Sequence, residues 1–255
     1  MENDIVPDLL ATIQSEFDNQ VVLNPKLKKL LAQLSLKKAT YLDANEFAIE
    51  IGKVLTNVFE QNVSVEVLPN GKMYFNIAER LLNPTLKNNY DLISSYVVDL
   101  QTELNHSVGL KIKGQSAEIN QDRIVGLINK ISDSDDFNDV KWLLKEPIIN
   151  FSQSVVDDAI KENVEFQSKA GFSPKIKRSL DNSKACKWCR NLEGTYEYPD
   201  VPSDVYRRHE RCQCTVEYIP NGKKRQDVWS KDWIDPDKKE KVEARKQMNL
   251  TERKW

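Results

Sequence analysis

The sequence predicts a mostly α protein with a helical N-terminal domain that includes one β-hairpin. A small cysteine-rich α+β module and a charged C-terminal tail follow it. Apolar residues recur at helical spacing through most of the front of the chain, which predicts the helices. All four cysteines lie within residues 186–214, and four of the five tryptophans follow residue 173. We therefore divide the chain into a helical body (1–173), a module (174–222) and a tail (223–255).

The composition excludes several classes of protein. The chain has 255 residues, of which 40% are hydrophobic and 30% charged, enough for one large domain or two smaller ones. Only 8 glycines and 10 prolines are present, which excludes collagen-like and low-complexity chains. No run of about 18 apolar residues occurs, so we expect no membrane partner. The N-terminus has no secretory signal pattern, and we expect the protein to be made and folded in a cytosol.

Charge is distributed unevenly along the chain. Residues 1–173 carry 17 Lys and Arg against 25 Asp and Glu, a balance of −8. Residues 174–255 carry 20 against 14, a balance of +6. A basic end of this kind is typical of a surface that faces nucleic acid or an acidic partner. The alternative is a chance distribution over solvated helix faces.

Capping residues, prolines and glycines predict the helix boundaries. Asn24 precedes Pro25, which is the pattern of an N-cap followed by proline at the first helical position. Asp43 with Glu46 predicts a capping pair. The remaining signals predict a long helix that starts near Pro84 and stops at Gly109, a helix capped by Asn120, and a helix that Pro147 opens and that ends near Gly171.

Strand patterns occur in two places. Val63, Val65 and Val67 alternate with polar residues, Pro69-Asn70-Gly71 turns the chain, and Met73 resumes the alternation. This pattern predicts the β-hairpin, with an irregular loop as the alternative. In the module, strands are predicted in three short stretches, at residues 175–178, 195–198 and 215–219.

The cysteines form two close pairs. Cys186-Lys-Trp-Cys189 is followed by Cys212-Gln-Cys214, and His209 lies three residues before Cys212. A cytosol keeps thiols reduced, so disulfides are not expected. Zinc binds four tetrahedral sulfur or nitrogen ligands, and a Cys-x-x-Cys turn supplies two of them. The spacing therefore predicts a structural Zn²⁺ that stabilises the module, with five candidate ligands for four positions.

Other interpretations of the cysteines stay open. One alternative is that the four cysteines are buried, reduced thiols without metal. Another is a thioredoxin-like redox pair, which the absence of a βαβ pattern disfavours. A closed zinc site is inert, so we predict no enzyme. The catalytic alternative is a zinc-finger endonuclease of the His-x-x-Cys type. Such an enzyme needs a further histidine, and His106 is expected on the surface of the long helix.

A basic and aromatic cluster lies between the cysteine pairs. Tyr206, Arg207, Arg208 and Arg211 combine positive charge with a ring, which suits phosphate contact and base stacking. We therefore predict nucleic-acid contacts at these residues. The alternative is that the arginines form surface ion pairs with acidic neighbours: Glu193, Asp204 and Glu210.

These motifs resemble a known family. Cys186-x-x-Cys189, the Leu192–Tyr196 segment and His209-x-x-Cys212-x-Cys214 resemble the C-terminal module of phage head morphogenesis proteins. These are the minor head (minor capsid) proteins related to the F protein of phage Mu. Several helical segments are similar to minor head proteins from phages and prophages of Gram-positive bacteria: 44–49, 71–74, 83–92 and 150–158. The resemblance spans roughly residues 40–235.

The resemblance implies a role in head assembly. It implies a structural virion protein, present in few copies inside the head after assembly in the host cytoplasm. The implied partners are the portal protein, scaffold and major capsid protein, with non-specific contact to packaged DNA and no enzymatic activity. The cysteines and the histidine of the family's motif correspond, by this resemblance, to Cys186, Cys189, His209, Cys212 and Cys214. A sequence-specific host DNA-binding protein is a further alternative.

Overall fold

Helices form most of the N-terminal part of the computed structural model, which describes residues 4–180, 185–209, 212 and 214–220. Within that range the elements are α1 (Val6–Leu23), α2 (Pro25–Ser35), α3 (Tyr41–Asn62), α4 (Phe75–Ser107), α5 (Gln121–Ser132), α6 (Phe137–Val140), α7 (Glu146–Lys169), β1 (Lys175–Ser179), α8 (Lys187–Asn191), β2 (Gly194–Glu197) and β3 (Thr215–Ile219). Short 3-10 helices lie at Pro69–Gly71, Lys141–Leu144 and Ser203–Tyr206. The predicted mostly α class with a small sheet is confirmed. The predicted tail, residues 223–255, lies outside the described residues.

Two predicted N-caps are confirmed by their hydrogen bonds. The Asn24 side chain accepts from the backbone N–H groups of Lys26 and Leu27 at 2.9 and 3.1 Å. The Asn120 side chain accepts from the Arg123 N–H at 3.1 Å. Each side chain satisfies donors that the first helical turn leaves without an intrahelical partner.

The capping pair predicted at Asp43 and Glu46 is wrong. Thr40 is the N-cap of α3, and Asp43 occupies the third helical position of a capping box with it. The Thr40 N–H donates to the Asp43 carboxylate at 2.7 Å, which completes the reciprocal pair. Glu46 instead forms an ion pair with Lys26 on the neighbouring helix, at 2.8 Å. The N-cap position that the sequence pattern assigned to Asp43 is therefore occupied by Thr40, three residues upstream.

The long helix starts earlier than predicted. α4 begins at Phe75 and continues through Pro84, although proline removes one intrahelical hydrogen bond at a cost of about 3 kcal/mol. Ile77, Leu81 and Leu82 are buried on the turns before the proline. Burial of side chains of this size stabilises by about 1.5–3 kcal/mol each, which outweighs the proline cost. Gly109, with φ of 81°, ends the helix as predicted.

The predicted β-hairpin is wrong, and the loop alternative describes residues 63–74. Val63 caps the C-terminus of α3, and Ser64 accepts the backbone N–H groups of Val67 and Leu68 in a tight turn. Burial does not follow the alternation, since Val67 is 42% exposed whereas the adjacent Leu68 is buried. The local turn therefore satisfies the backbone polar groups that a strand would have paired.

The three strands predicted in the module are confirmed. Within the described residues they form an antiparallel sheet in the order β2-β1-β3. Ile176 in β1 lies opposite Tyr196 in β2 and Tyr218 in β3. Ile176 and Tyr218 are buried in the same apolar core as α3 and α7. The sheet thus packs directly on the helical body.

A buried hydrogen-bond network joins the sheet to the helices. The Tyr41 hydroxyl in α3 donates to Gln101 in α4 at 2.5 Å, and Gln101 donates to Asn105 at 2.8 Å. Gln167 in α7 donates to the same Asn105 oxygen at 2.6 Å and accepts from the Tyr218 hydroxyl in β3. Because each buried polar group has a partner, the network fixes one arrangement of these four elements.

None of the described helices combines the length and the apolar character that crossing a membrane requires.

Close packing of α3 on α7 gives a prediction about glycine. A Cβ added at Gly52 would lie 2.8 Å from the Ser152 hydroxyl oxygen and 3.0 Å from the Ile149 Cα. We expect Gly52→Ala to destabilise the protein by about 1–3 kcal/mol in urea unfolding, because α7 must move to make room. Gly126→Ala is the matched control. Its Cβ would meet nothing within 4 Å, so we expect it to stabilise by up to about 1 kcal/mol. Equal effects of the two substitutions would contradict the packing.

Candidate metal centre

The structure brings the five predicted ligands together as two overlapping triads. Cys186, Cys189 and His209 form one triad, and Cys189, Cys212 and Cys214 form the other. Within each triad the ligand atoms lie within 4.8 Å of one another. Cys189 belongs to both triads and is buried, so it lies at the centre of the cluster. The cluster can hold a metal ion such as zinc.

Local backbone structure positions the first cysteine pair. Cys186 is the N-cap of α8, and its sulfur accepts the Cys189 N–H at 3.3 Å. This N–H-to-sulfur bond is characteristic of a tight Cys-x-x-Cys turn, and it directs both sulfurs to one side. The second pair lies immediately before β3, where the Cys212 N–H donates to the His209 carbonyl at 3.2 Å. The sheet and α8 therefore hold the two pairs against each other.

The separations between ligand atoms suit tetrahedral zinc. A Zn–S bond of about 2.3 Å places two ligating sulfurs about 3.8 Å apart. The Cys189 and Cys212 sulfurs lie 3.7 Å apart, which is also far beyond a disulfide bond of about 2.05 Å. His209 Nε2 lies 3.0 Å from the Cys189 sulfur and 3.2 Å from the Cys186 sulfur. These values are slightly shorter than the roughly 3.5 Å expected around zinc, so small outward shifts would admit the ion.

A buried arginine lies against the cluster. Arg178 in β1 is 1% exposed, and its guanidinium lies 3.9 Å from the Cys189 sulfur and 3.8 Å from the Cys212 sulfur. The same group donates to the carbonyls of Val205 and Arg207. No carboxylate is among its partners in the described part of the chain. A buried cation needs a negative partner, and thiolates at Cys189 and Cys212 would supply one.

The pKa values of the cysteines are shifted in opposite directions at the two ends of the cluster. It raises the pKa of the Cys189 thiol well above its usual value, and it also raises the pKa of Cys214. The pKa of the exposed Cys186 is lowered, chiefly because its sulfur accepts the Cys189 N–H. A metal ion binds the thiolate form, so the buried sulfurs need a cation nearby to ionise.

A second buried arginine attaches the cluster to the helical body. Arg208 forms an ion pair with Asp157 in α7, with one N–O distance of 2.9 Å, and the two side chains are 2% and 1% exposed. Arg208 also donates to the Cys214 carbonyl at 2.6 Å and to Asn45 in α3 at 3.2 Å. The charge of Arg208 is therefore buried and paired inside the protein, which disfavours the predicted nucleic-acid contact at this residue.

The other residues of the predicted nucleic-acid cluster are also accounted for. Arg207 is exposed and forms an ion pair with Asp204 at 3.1 Å, as the ion-pair alternative expected. Tyr206 is half-buried, and its hydroxyl has no hydrogen-bond partner in the part of the chain that the structure describes. Arg211 and Glu210 lie outside the described residues. His106 is exposed near the C-terminus of α4, as expected.

Sequence reasoning missed the two buried partners, Arg178 and Asp157. A signal for Arg178 was present in β1, because it occupies the same face as the buried Ile176 and so points inward. Asp157 follows Asn150 and Ser154 at helical spacing on α7, and all three are buried. A polar stripe on an otherwise buried helix indicates buried partners.

Comparisons with family models, with curated proteins and with solved structures yield no match to this chain. The resemblance to minor head proteins therefore stays a prediction that depends on the motifs.

The buried ion pair gives a prediction for stability. We expect Asp157→Asn to destabilise the protein by about 3–5 kcal/mol, because Arg208 would keep its charge in the core without a carboxylate. Asp204→Asn is the matched control, since it breaks an exposed Asp–Arg pair and we expect a loss of at most about 1 kcal/mol. Urea unfolding followed by circular dichroism measures both. A loss below 1 kcal/mol for Asp157→Asn would show that this pair does not hold the module.

Proposed function

We propose that the cysteine cluster binds one structural zinc ion and that the protein acts as a structural component rather than an enzyme. The observation that carries the proposal is the pair of triads that share Cys189, because they bring ligands from separate segments to one point. The segments themselves are short, since α8 has five residues and the strands have four or five. Elements of this size bury little apolar surface of their own, so they need a further stabilising interaction such as a bound metal ion. Zinc binding contributes about 10–16 kcal/mol to the folding of such modules.

The donor set favours a particular group of four ligands. His209 contacts the Cys186 and Cys189 sulfurs, and Arg178 contacts the Cys189 and Cys212 sulfurs. We infer that these four side chains, Cys186, Cys189, His209 and Cys212, bind the ion. Three thiolates and Zn²⁺ carry a net charge of −1, which one guanidinium balances. Four thiolates and Zn²⁺ would carry a net charge of −2, and Arg178 would compensate only one of these two negative charges.

The proposed site is closed, which is why it supports a structural role. Catalytic zinc keeps one position for water or substrate, whereas here five side chains compete for four positions. His209 Nε2 faces the sulfurs, so His209 is poorly placed to serve as the base of an endonuclease. No observation favours the endonuclease alternative, and we do not propose it.

We propose phage or prophage head assembly as the biological role. The support is the motif resemblance to minor head proteins, together with a non-catalytic metal site in a rigid module. In this role the helical body would bind the portal protein, with scaffold and major capsid protein as neighbours and packaged DNA nearby. The test is co-expression with the portal protein from the same genome, followed by size-exclusion chromatography. Separate elution of the two proteins at micromolar concentration would count against the role.

The zinc proposal predicts a stoichiometry and a pattern of losses. We expect elemental analysis of the purified protein to give one zinc per chain, and we expect a chelator to lower the Tm. Cys189→Ser and His209→Ala should lose the zinc, because each removes a ligand. Cys214→Ser and His106→Ala are the matched controls, and both should keep one zinc per chain.

Two results would contradict these expectations. Absence of zinc from protein prepared without chelators, with the module still folded, would overturn the metal proposal. Loss of zinc in Cys214→Ser, together with its retention in His209→Ala, would replace the inferred set by four thiolates.

A further inference from the structure

A groove on the helical body meets the cysteine cluster only at His209 and has a different character. It encloses about 320 Å³ between α5, the 3-10 helix Lys141–Leu144 and the start of α7. Two cationic side chains from α5, Arg123 and Lys130, line one side, and Trp142 lines the other. Its floor is apolar, and His209 borders one end. None of the described residues that line the groove is acidic.

The groove wall on α5 follows from helical spacing. Arg123, Gly126 and Lys130 are three and four residues apart, so they lie on one face of the helix. The two cations are separated by about 10 Å along the helix axis. A surface with two cations at this spacing can contact two negative groups of one extended ligand.

Three of the groove side chains, Arg123, Lys130 and Trp142, are exposed, whereas Arg208, which also lines the groove, is buried and paired with Asp157. Trp142 is 42% exposed, and the Lys130 amine lies 5.5 Å from the centre of its ring. Arg123 is exposed, and the Asp158 and Asp157 carboxylates of α7 attract its charge without a direct ion pair in the described range. The Lys130 amine lies over this ring, and exposed rings beside cations serve as stacking platforms for bases.

We propose that this groove binds single-stranded nucleic acid, with one base stacked on Trp142 and neighbouring phosphates held by Arg123 and Lys130. A duplex keeps its bases stacked inside and is too wide for a recess of this size. An acidic peptide would use the cations but leave the indole without a planar partner. The proposal does not depend on zinc, since the three residues that carry it lie outside the cluster.

Gly126 provides a way to close the groove without changing its charge. A Cβ at Gly126 would meet nothing within 4 Å, so a larger side chain there projects into open space. Leucine is also a better helix former than glycine by about 0.8–1 kcal/mol, so Gly126→Leu should fold at least as well as the wild type. A loss of binding in this variant therefore cannot be attributed to unfolding.

The experiment is a fluorescence anisotropy titration of a labelled 12-nucleotide oligo(dT) with the full chain as purified. We expect Gly126→Leu and Trp142→Leu to weaken binding at least about fivefold, because a stacked base is lost. Trp142→Phe should retain most of the affinity, since it keeps a ring. Arg123→Ala and Lys130→Ala should each reduce the slope of log K against log salt by about 0.7, the value for one phosphate contact. Lys29→Ala, an exposed lysine on α2, is the charge-matched control and should change neither quantity.

Three outcomes would overturn the proposal. Unchanged affinity in both Gly126→Leu and Trp142→Leu would place the binding elsewhere, such as the basic C-terminal third. Equal competition by inorganic phosphate or by poly-glutamate, compared at equal charge, would show a general anion site without base stacking. Equal losses in Trp142→Phe and Trp142→Leu would show that the ring is not a platform. Zinc content measured on the same variants separates any of these results from failure of the metal site.

Discussion

The buried ion pair between Arg208 and Asp157 constrains the rest of the structure. It joins the segment between the cysteine pairs to α7, with both side chains almost fully buried. A buried pair is weak evidence for net stability, because desolvation of the two charges offsets most of their attraction. The pair favours this placement of the module, since a shift that kept one of the two charges buried without the other would be costly. Arg208 also binds the Cys214 carbonyl, so the pair sets the position of the cluster relative to the helices.

The module thus contains two buried arginines that depend on different partners. Arg208 has a carboxylate, and its charge is compensated whether or not a metal is bound. Among the described residues Arg178 has carbonyls, an indole ring and two sulfurs as partners, so within that range thiolates at the two sulfurs would be the groups that compensate its charge. Burial opposes ionisation of the Cys189 sulfur, and a bound metal ion would promote it. Under the zinc proposal, folding of the module would be coupled to metal through Arg178, and Arg208 couples it to the helical body.

The parts of the fold that the sequence predicted correctly are those with local causes. Asn24 and Asn120 cap helices through bonds to residues two or three positions away, and the three strands follow local alternation. Apart from the N-cap of α3, where Thr40 and not Asp43 takes the position, the errors arose where distant packing decides. Pro84 stays inside α4 because core contacts hold the turns around it. The alternation at residues 63–67 resembled a strand, yet no partner strand reaches it among the described residues.

The candidate site shows the same division between local pattern and tertiary context. The cysteine spacing predicted the cluster because a Cys-x-x-Cys turn is a local structure that brings two sulfurs together. A run of arginines beside a tyrosine predicted a nucleic-acid surface, but the pattern contains no information about burial. Asp157, 51 residues earlier in the chain, removes Arg208 from solvent. Arg123 and Trp142 have no motif around them, and only the packing of α5 beside the 3-10 helix Lys141–Leu144 places a cation and an exposed ring along one groove. Surface chemistry of this kind follows from the fold, so it can be inferred only after the helices have been positioned.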